Sequence, residues 1–207
     1  MIAIVDYGMG NVRSVQKAFE RLGHAAEVTP DPDRVRAASA VVLPGVGAFG
    51  DCMANLVKGD LREPVVQAIR SGRPFLGICL GLQLLFDESE EFGRQEGLGL
   101  VPGRVVRFPS QAPSGEALKV PHIGWNQVAF RDRARIFEAL PDPSYLYFVH
   151  SYYVRPEDPA WIAGTTEYGV PFTSAIARDN VWGVQFHPEK SQRLGLSILD
   201  RFGRLAG

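Results

Sequence analysis

The alternation of short apolar runs with helix-periodic stretches is what most limits how this chain can fold. Ile2–Val5, Ala25–Val28, Ala40–Leu43 and Phe75–Cys79 are mostly apolar, too short for a stable helix and the right length for buried strands. Between the first two, Val12, Val15, Phe19 and Leu22 recur at helical spacing, and Gly23 stands where the helix should stop. A helix is expected from about Leu61 to Ser71, ahead of the fourth run. Strands separated by helices pair in parallel, because a parallel crossover needs a connection long enough to hold a helix. The second half differs. Val101–Phe108, Gln127–Phe130, Tyr145–Val154, Trp161–Thr166, Phe172–Arg178 and Val181–Phe186 read as strands joined by turns, before a last helix from about Ser191 to Leu205. Residues 109–115, rich in Pro, Ser and Gly, read as a surface loop. The expected class is α/β: a doubly wound, mostly parallel, flavodoxin-like sheet flanked by helices, with an antiparallel extension in the C-terminal half. With 207 residues and no Pro/Gly/Ser linker, the chain reads as one domain over 1–207.

Gly77-Ile78-Cys79-Leu80-Gly81 ends the fourth run, and a helical pattern from Leu80 to Phe86 follows it. Strand, tight turn and helix with a nucleophile at the apex make a nucleophile elbow, here with Cys in place of Ser. The turn puts sulfur at a helix start, where free N–H groups and the dipole favour an anion. His187-Pro188-Glu189 supplies a base and an orienting carboxylate. Proline pushes His187 into an extended conformation, and in an extended segment residues i and i+2 face the same way. Cys79, His187 and Glu189 are therefore the candidate triad. Acyl chemistry also needs donors for an oxyanion. The N–H of Leu80, after the nucleophile, is one candidate, and Val46 or Gly47 in Pro44-Gly45-Val46-Gly47 is the other. In an open sheet the loops after strands one, three and four should share one rim. Glycines on both sides of Val46 let that peptide rotate at low steric cost.

The net charge is −1 with both signs dispersed, which gives no basic stripe for nucleic acid. No apolar run approaches the roughly 20 residues of a membrane span, and the first residues lack a signal-peptide pattern. Two cysteines make no disulfide framework, and no Cys/His cluster has metal spacing, so a cytoplasmic protein without metal or cofactor is expected. Cys52 reads as a packed thiol, His24 as a surface residue, and His122 and His150 as core or interface histidines.

With these residues in place, the chain resembles the class I, triad-type glutamine amidotransferases. The matching segments are residues 6–11, 44–50, 77–86, 124–126, 147–152, 165–168 and 183–191, spread from end to end. Within that family the closest likeness is to glutaminase subunits that serve a cyclase in histidine biosynthesis. The resemblance implies L-glutamine as substrate, ammonia as the product passed on, and a heterodimer with a cyclase built on a (β/α)8 barrel. It implies a substrate-binding role for Gln83, one helical turn past Cys79, and a backbone contact to substrate at Ser151. It places Asn11, Trp125 and Lys190 at the partner interface. Residue spacing alone reaches only a thiol-dependent acyl transferase or hydrolase. Other amidotransferase subunits, γ-glutamyl or peptide hydrolases on the same scaffold, a non-catalytic regulatory module and a flavin binder are the competing readings.

Overall fold

A computed structural model describes residues 1–131, 135–138 and 140–207. Five strands form the parallel part of the sheet: β1 (Ile2–Val5), β2 (Ala26–Thr29), β3 (Ala40–Gly45), β4 (Phe75–Cys79) and β13 (Val181–Val184), in the order β2-β1-β3-β4-β13. Each adjacent pair in that row is parallel, so the loops after β1, β3 and β4 share one rim as expected. Side chains alternate across this layer. Ala3, Val5, Val41, Leu43 and Phe75 enter one core, whereas Ile2, Ile4, Ala40, Val42, Leu76 and Ile78 enter the other. That period of two with both faces apolar is what a doubly covered sheet requires.

Helices α1 (Val12–Arg21), α2 (Pro32–Ala37), α3 (Phe49–Lys58), α4 (Arg62–Arg70) and α6 (Gln192–Leu205) flank the sheet. Gly23 follows the C-cap of α1 with φ +83°, the left-handed stop that glycine takes without strain. Asp31 caps α2 by accepting from the Asp33 N–H at 2.8 Å.

The antiparallel extension comprises β7 (Val101–Arg107), β8 (His122–Phe130), β9 (Ser144–His150), β10 (Tyr152–Pro156), β11 (Ile162–Glu167) and β12 (Pro171–Arg178). β12 joins it to β13, and β10 and β7 continue the row. Two expectations fail. The helix expected over Leu80–Phe86 lasts only through α5 (Leu80–Gln83), and the chain then becomes strand β5 (Phe86–Ser89), parallel to β7. Leu82, Leu84, Leu85 and Phe86 are all buried, as is Gln83 between them, and a stretch enclosed on every side fits a buried strand as well as a helix. The single strand expected over Tyr145–Val154 is two, divided at Ser151. β9 pairs with β8, while β10 pairs with β7 and β12. The change of partner leaves Ser151 outside both strands. A two-residue strand, β6 (Gln95–Glu96), paired with β5, was not legible in the sequence.

Candidate active site

β3 and β4 deliver the first components side by side, with Gly45 in register with Cys79. Cys79 sits at φ +55°, ψ −111°, a conformation that costs an L-residue on the order of 1–3 kcal/mol. The glycines around it answer mainly to space. A Cβ on Gly77 would stand 2.7 Å from the Gly81 carbonyl oxygen, and one on Gly81 would overlap the Leu43 carbonyl oxygen. The elbow is therefore folded against itself and against β3. Because α5 is a single short turn, the long-helix dipole expected behind the sulfur is largely missing.

After β13 the chain reaches His187, whose φ −100° and ψ +100° are the extended values that Pro188 demands. Pro188–Lys190 then forms a 3₁₀ turn, so Glu189 reaches the imidazole through that turn and not by strand alternation. His187 Nδ1 lies 2.9 Å from Glu189 Oε1, with the two side chains 3% and 1% exposed. The carboxylate only accepts, so Nδ1 carries the proton. His187 Nε2 is buried without a hydrogen-bond partner among the described residues. Burial opposes a charge on this ring, but the Cys79 sulfur and the Glu189 carboxylate outweigh it and push its pKa up to about 10. Ser191 fastens the segment: its hydroxyl donates to His187 O at 2.7 Å and accepts from the Tyr147 N–H at 3.0 Å.

Cys79 and His187 open on a cavity of about 400 Å³, also lined by Val46, Gly47, Leu80 and Gln83. Ser151 lies on its wall, as do Glu91 and His150. Cys79, His187 and the oxyanion and substrate candidates from the sequence thus meet around one space, with Glu189 behind His187. Beneath the Val46 loop, the Tyr7 hydroxyl donates to Pro44 O at 2.8 Å and the Cys52 thiol donates to Val46 O at 3.6 Å. Burial pushes the Cys52 thiol up to about 11, and this packed thiol is fully enclosed.

The interface candidates lie away from the cavity. Trp125 is 46% exposed and meets Tyr147 edge-on at 6.0 Å between ring centres, and Lys190 Nζ stands 6.0 Å from the same ring. Asn11 starts α1, which packs against the Pro188–Lys190 turn. His24, expected at the surface, is partly buried and pairs with Asp200 at 2.9 Å, closing α1 onto α6. Among the described residues no group of three His, Cys, Asp or Glu is placed to hold a metal ion.

The family model for "Glutamine amidotransferase class-I" matches residues 3–204. The chain belongs to the class I glutamine amidotransferases. A relative from Syntrophotalea carbinolica, the imidazole glycerol phosphate synthase subunit HisH, is 59% identical over 204 residues, covering 98% of this chain and 99% of the relative. The protein of the same name from Geobacter sulfurreducens is 56% identical over 205 residues, covering 99% and 98%. Two solved structures share the fold at low identity. PurLQS from Thermotoga maritima aligns with a TM-score of 0.73 at 17% identity, covering 99% of this chain and 96% of that one. The glutaminase domain of Trypanosoma brucei CTPS with bound acivicin aligns with a TM-score of 0.69 at 18% identity, covering 99% and 92%.

Three polar residues around this candidate site escape sequence reasoning. Gln185 is wholly buried with its Nε2 3.6 Å from the Cys79 sulfur. Glu91 accepts from the Phe49 N–H at 2.7 Å and turns toward the cavity. Ser191 locks the His187 turn. For Gln185 a signal existed: an amide within an otherwise apolar strand end, Val184-Gln185-Phe186, needs a partner. For Glu91, inside an acidic run, there was none.

Proposed function

We propose that this chain is the glutaminase subunit of an imidazole glycerol phosphate synthase, acting in the cytoplasm and passing ammonia to a (β/α)8-barrel cyclase subunit in histidine biosynthesis. The observation that carries the reading is that the Cys79 elbow and His187, backed by the buried Glu189, line the same cavity. Relatives named as that subunit, more than half identical over nearly the full chain, support the choice of reaction.

The chemistry follows from the atoms present. Cys79, as thiolate, attacks the side-chain carbonyl carbon of glutamine. The carbonyl electron pair moves to oxygen, and the Leu80 N–H with that of Val46 or Gly47 stabilises it. The tetrahedral adduct collapses as the C–N bond breaks, and His187 Nε2 gives its proton to the departing ammonia. His187, now neutral, accepts a proton from water as the water oxygen attacks the thioester. Glutamate leaves, the sulfur departs as thiolate, and the imidazolium is restored. Glu189 remains ionised and holds Nδ1–H throughout. Glutamine also carries an ammonium group, and Glu91 is the carboxylate among the cavity-lining residues, so it binds that group. Gln83 and a backbone group at Ser151 complete the substrate contacts, and Asn11, Trp125 and Lys190 meet the cyclase.

A glutaminase that ran freely would lose ammonia to water, so turnover is conditional on the cyclase and its ligand. The test is glutamate release by the chain alone, by the complex, and by the complex with cyclase ligand, for wild type and Cys79→Ala. Wild type should respond strongly to the liganded cyclase, and Cys79→Ala should bind the cyclase but release no glutamate. Full activity in Cys79→Ala, or equal rates with and without the liganded cyclase, refutes the reading.

A further inference from the structure

Gln185 leaves β13 two residues ahead of His187, and an amide can turn either end toward a neighbour. Which end faces the Cys79 sulfur is fixed by its surroundings. The Tyr152 carbonyl oxygen can only accept, so Gln83 must turn Nε2 toward it, at 3.1 Å. The second hydrogen of that nitrogen goes to Gln185 Oε1 at 3.0 Å. Gln185 has given its oxygen to Gln83, and its N–H is what remains for sulfur, 3.6 Å away.

The carbonyl at the head of this chain is itself held. His150 Nδ1–H donates to Tyr152 O at 2.8 Å, which leaves His150 Nε2 to accept from His122 Nδ1–H at 3.0 Å. His122 Nε2 then accepts from Asn126 Nδ2 at 3.2 Å. Both rings are enclosed and stay neutral, because burial holds their pKa values down to about 4 for His122 and about 3 for His150. Every donor and acceptor from Asn126 to the sulfur has one consistent orientation.

We propose that Gln185 is a catalytic residue of the glutaminase reaction: its amide N–H donates to the Cys79 sulfur and holds the nucleophile as thiolate, in an orientation imposed by Gln83 and the Tyr152 carbonyl. The inference rests on the reading of Cys79 as nucleophile. A thiolate is a far better acceptor than a thiol or a thioester sulfur, so the bond is strongest in the form that attacks. As sulfur bonds to the acyl carbon its charge passes to the substrate oxygen, and the N–H contact weakens. When water cleaves the thioester and sulfur departs with the electron pair, the contact re-forms, so Gln185 assists both halves of the reaction. With α5 too short to supply a strong dipole, this N–H joins the His187 imidazolium as a side-chain group that favours charge on the sulfur.

A thiol pH profile separates this role from simple packing. The titratable groups around Cys79 are His187 with Glu189 behind it, His150 at the end of β9, Tyr7 and Cys52 beneath the Val46 loop, and Glu91 across the cavity. All are unchanged in the two variants Gln185→Met and Gln83→Met. Iodoacetamide labelling of Cys79 is followed by peptide mass spectrometry from pH 5 to 10 on the full chain. Gln185→Met should move the inflection upward by about one pH unit, with about tenfold slower labelling below it. Gln83→Met should move it in the same direction, because the freed Gln185 amide can turn its oxygen to the sulfur. The pH profile of glutaminase kcat/KM in the liganded complex should shift with the labelling. If both inflections coincide with wild type, the proposal is overturned. If Gln185→Met loses its near-ultraviolet circular dichroism, Gln83→Met alone decides. The underlying reading fails separately, through glutamate release by Cys79→Ala or labelling confined to Cys52.

Discussion

His122 and His150 tie the stability of this protein to pH, and His122→Phe tests how strongly. Both rings are buried, 3% and 6% exposed, and face each other at 3.0 Å. Burial lowers the pKa of His122 to about 4. Burial also lowers that of His150 to about 3, with the Tyr152 carbonyl opposing and His122 and His187 adding to the fall. In the unfolded chain each binds a proton below about pH 6.5. Between about pH 6.5 and 4 the unfolded state therefore holds more protons, and stability falls as pH falls. At pH 5 that amounts to about 2 kcal/mol for each ring and about 4 kcal/mol for the pair, a large share of a typical 5–15 kcal/mol. His187 acts the other way: its stabilisation is full below about pH 6.5 and is lost as pH rises toward 10, equally in both proteins. Phenylalanine keeps the ring sandwiched between Tyr168 at 4.1 Å and Phe148 at 5.0 Å, and removes one titration. It leaves His150 Nε2 without its donor, which costs about 1–3 kcal/mol at every pH. Urea unfolding at pH 7.5 and pH 5.0 reads the difference. Wild type should lose about 2 kcal/mol more than His122→Phe between the two pH values, although the variant starts less stable. Equal losses would refute the claim that the pair is held neutral by the fold.

Glu189→Gln should lower glutaminase kcat by up to about 10⁴-fold with little change in KM, since the neutral amide can hold the wrong tautomer of His187 and cannot stabilise its charge. Steady-state kinetics of the liganded complex measures this, and wild-type rates would mean that another group orients the ring. Gly81→Ala should cost at least about 3 kcal/mol in urea unfolding, because its Cβ would overlap the immovable Leu43 carbonyl. Gly23→Ala, at φ +83° with nothing within 4 Å of its Cβ, should cost only about 1–2 kcal/mol. Similar values for the two would show that β3 gives way around the added Cβ, so that lack of space does not set the need for glycine in the elbow.

What the sequence reveals here follows the range of the forces involved. The parallel strands were legible because each side chain of Ile2–Val5 or Phe75–Cys79 must be apolar to be buried on two faces. The elbow was legible because its glycines, thiol and flanking strand lie within a few residues. Proline made His187 extended, yet Glu189 arrives by a 3₁₀ turn that no local preference announces. The helical pattern over Leu80–Phe86 does not predict the strand that begins at Phe86, because full burial removes the polar face by which a helix is told from a strand. Ser151 breaks a continuous apolar pattern for a tertiary reason: β9 and β10 have different partners. The polar chain to the sulfur lies furthest from local reading. Gln83 and Gln185 are 102 residues apart, and Gln83 and Tyr152 are 69 apart. Their spacing predicts nothing, and each alone is an ordinary amide. Only when the sheet brings them together does an acceptor-only carbonyl dictate one amide's orientation, and that amide the next. The donor at the sulfur is thus set by a backbone atom on a strand remote in sequence, which is why Gln83→Met and Gln185→Met should shift the same titration although only one of the two residues touches the thiol.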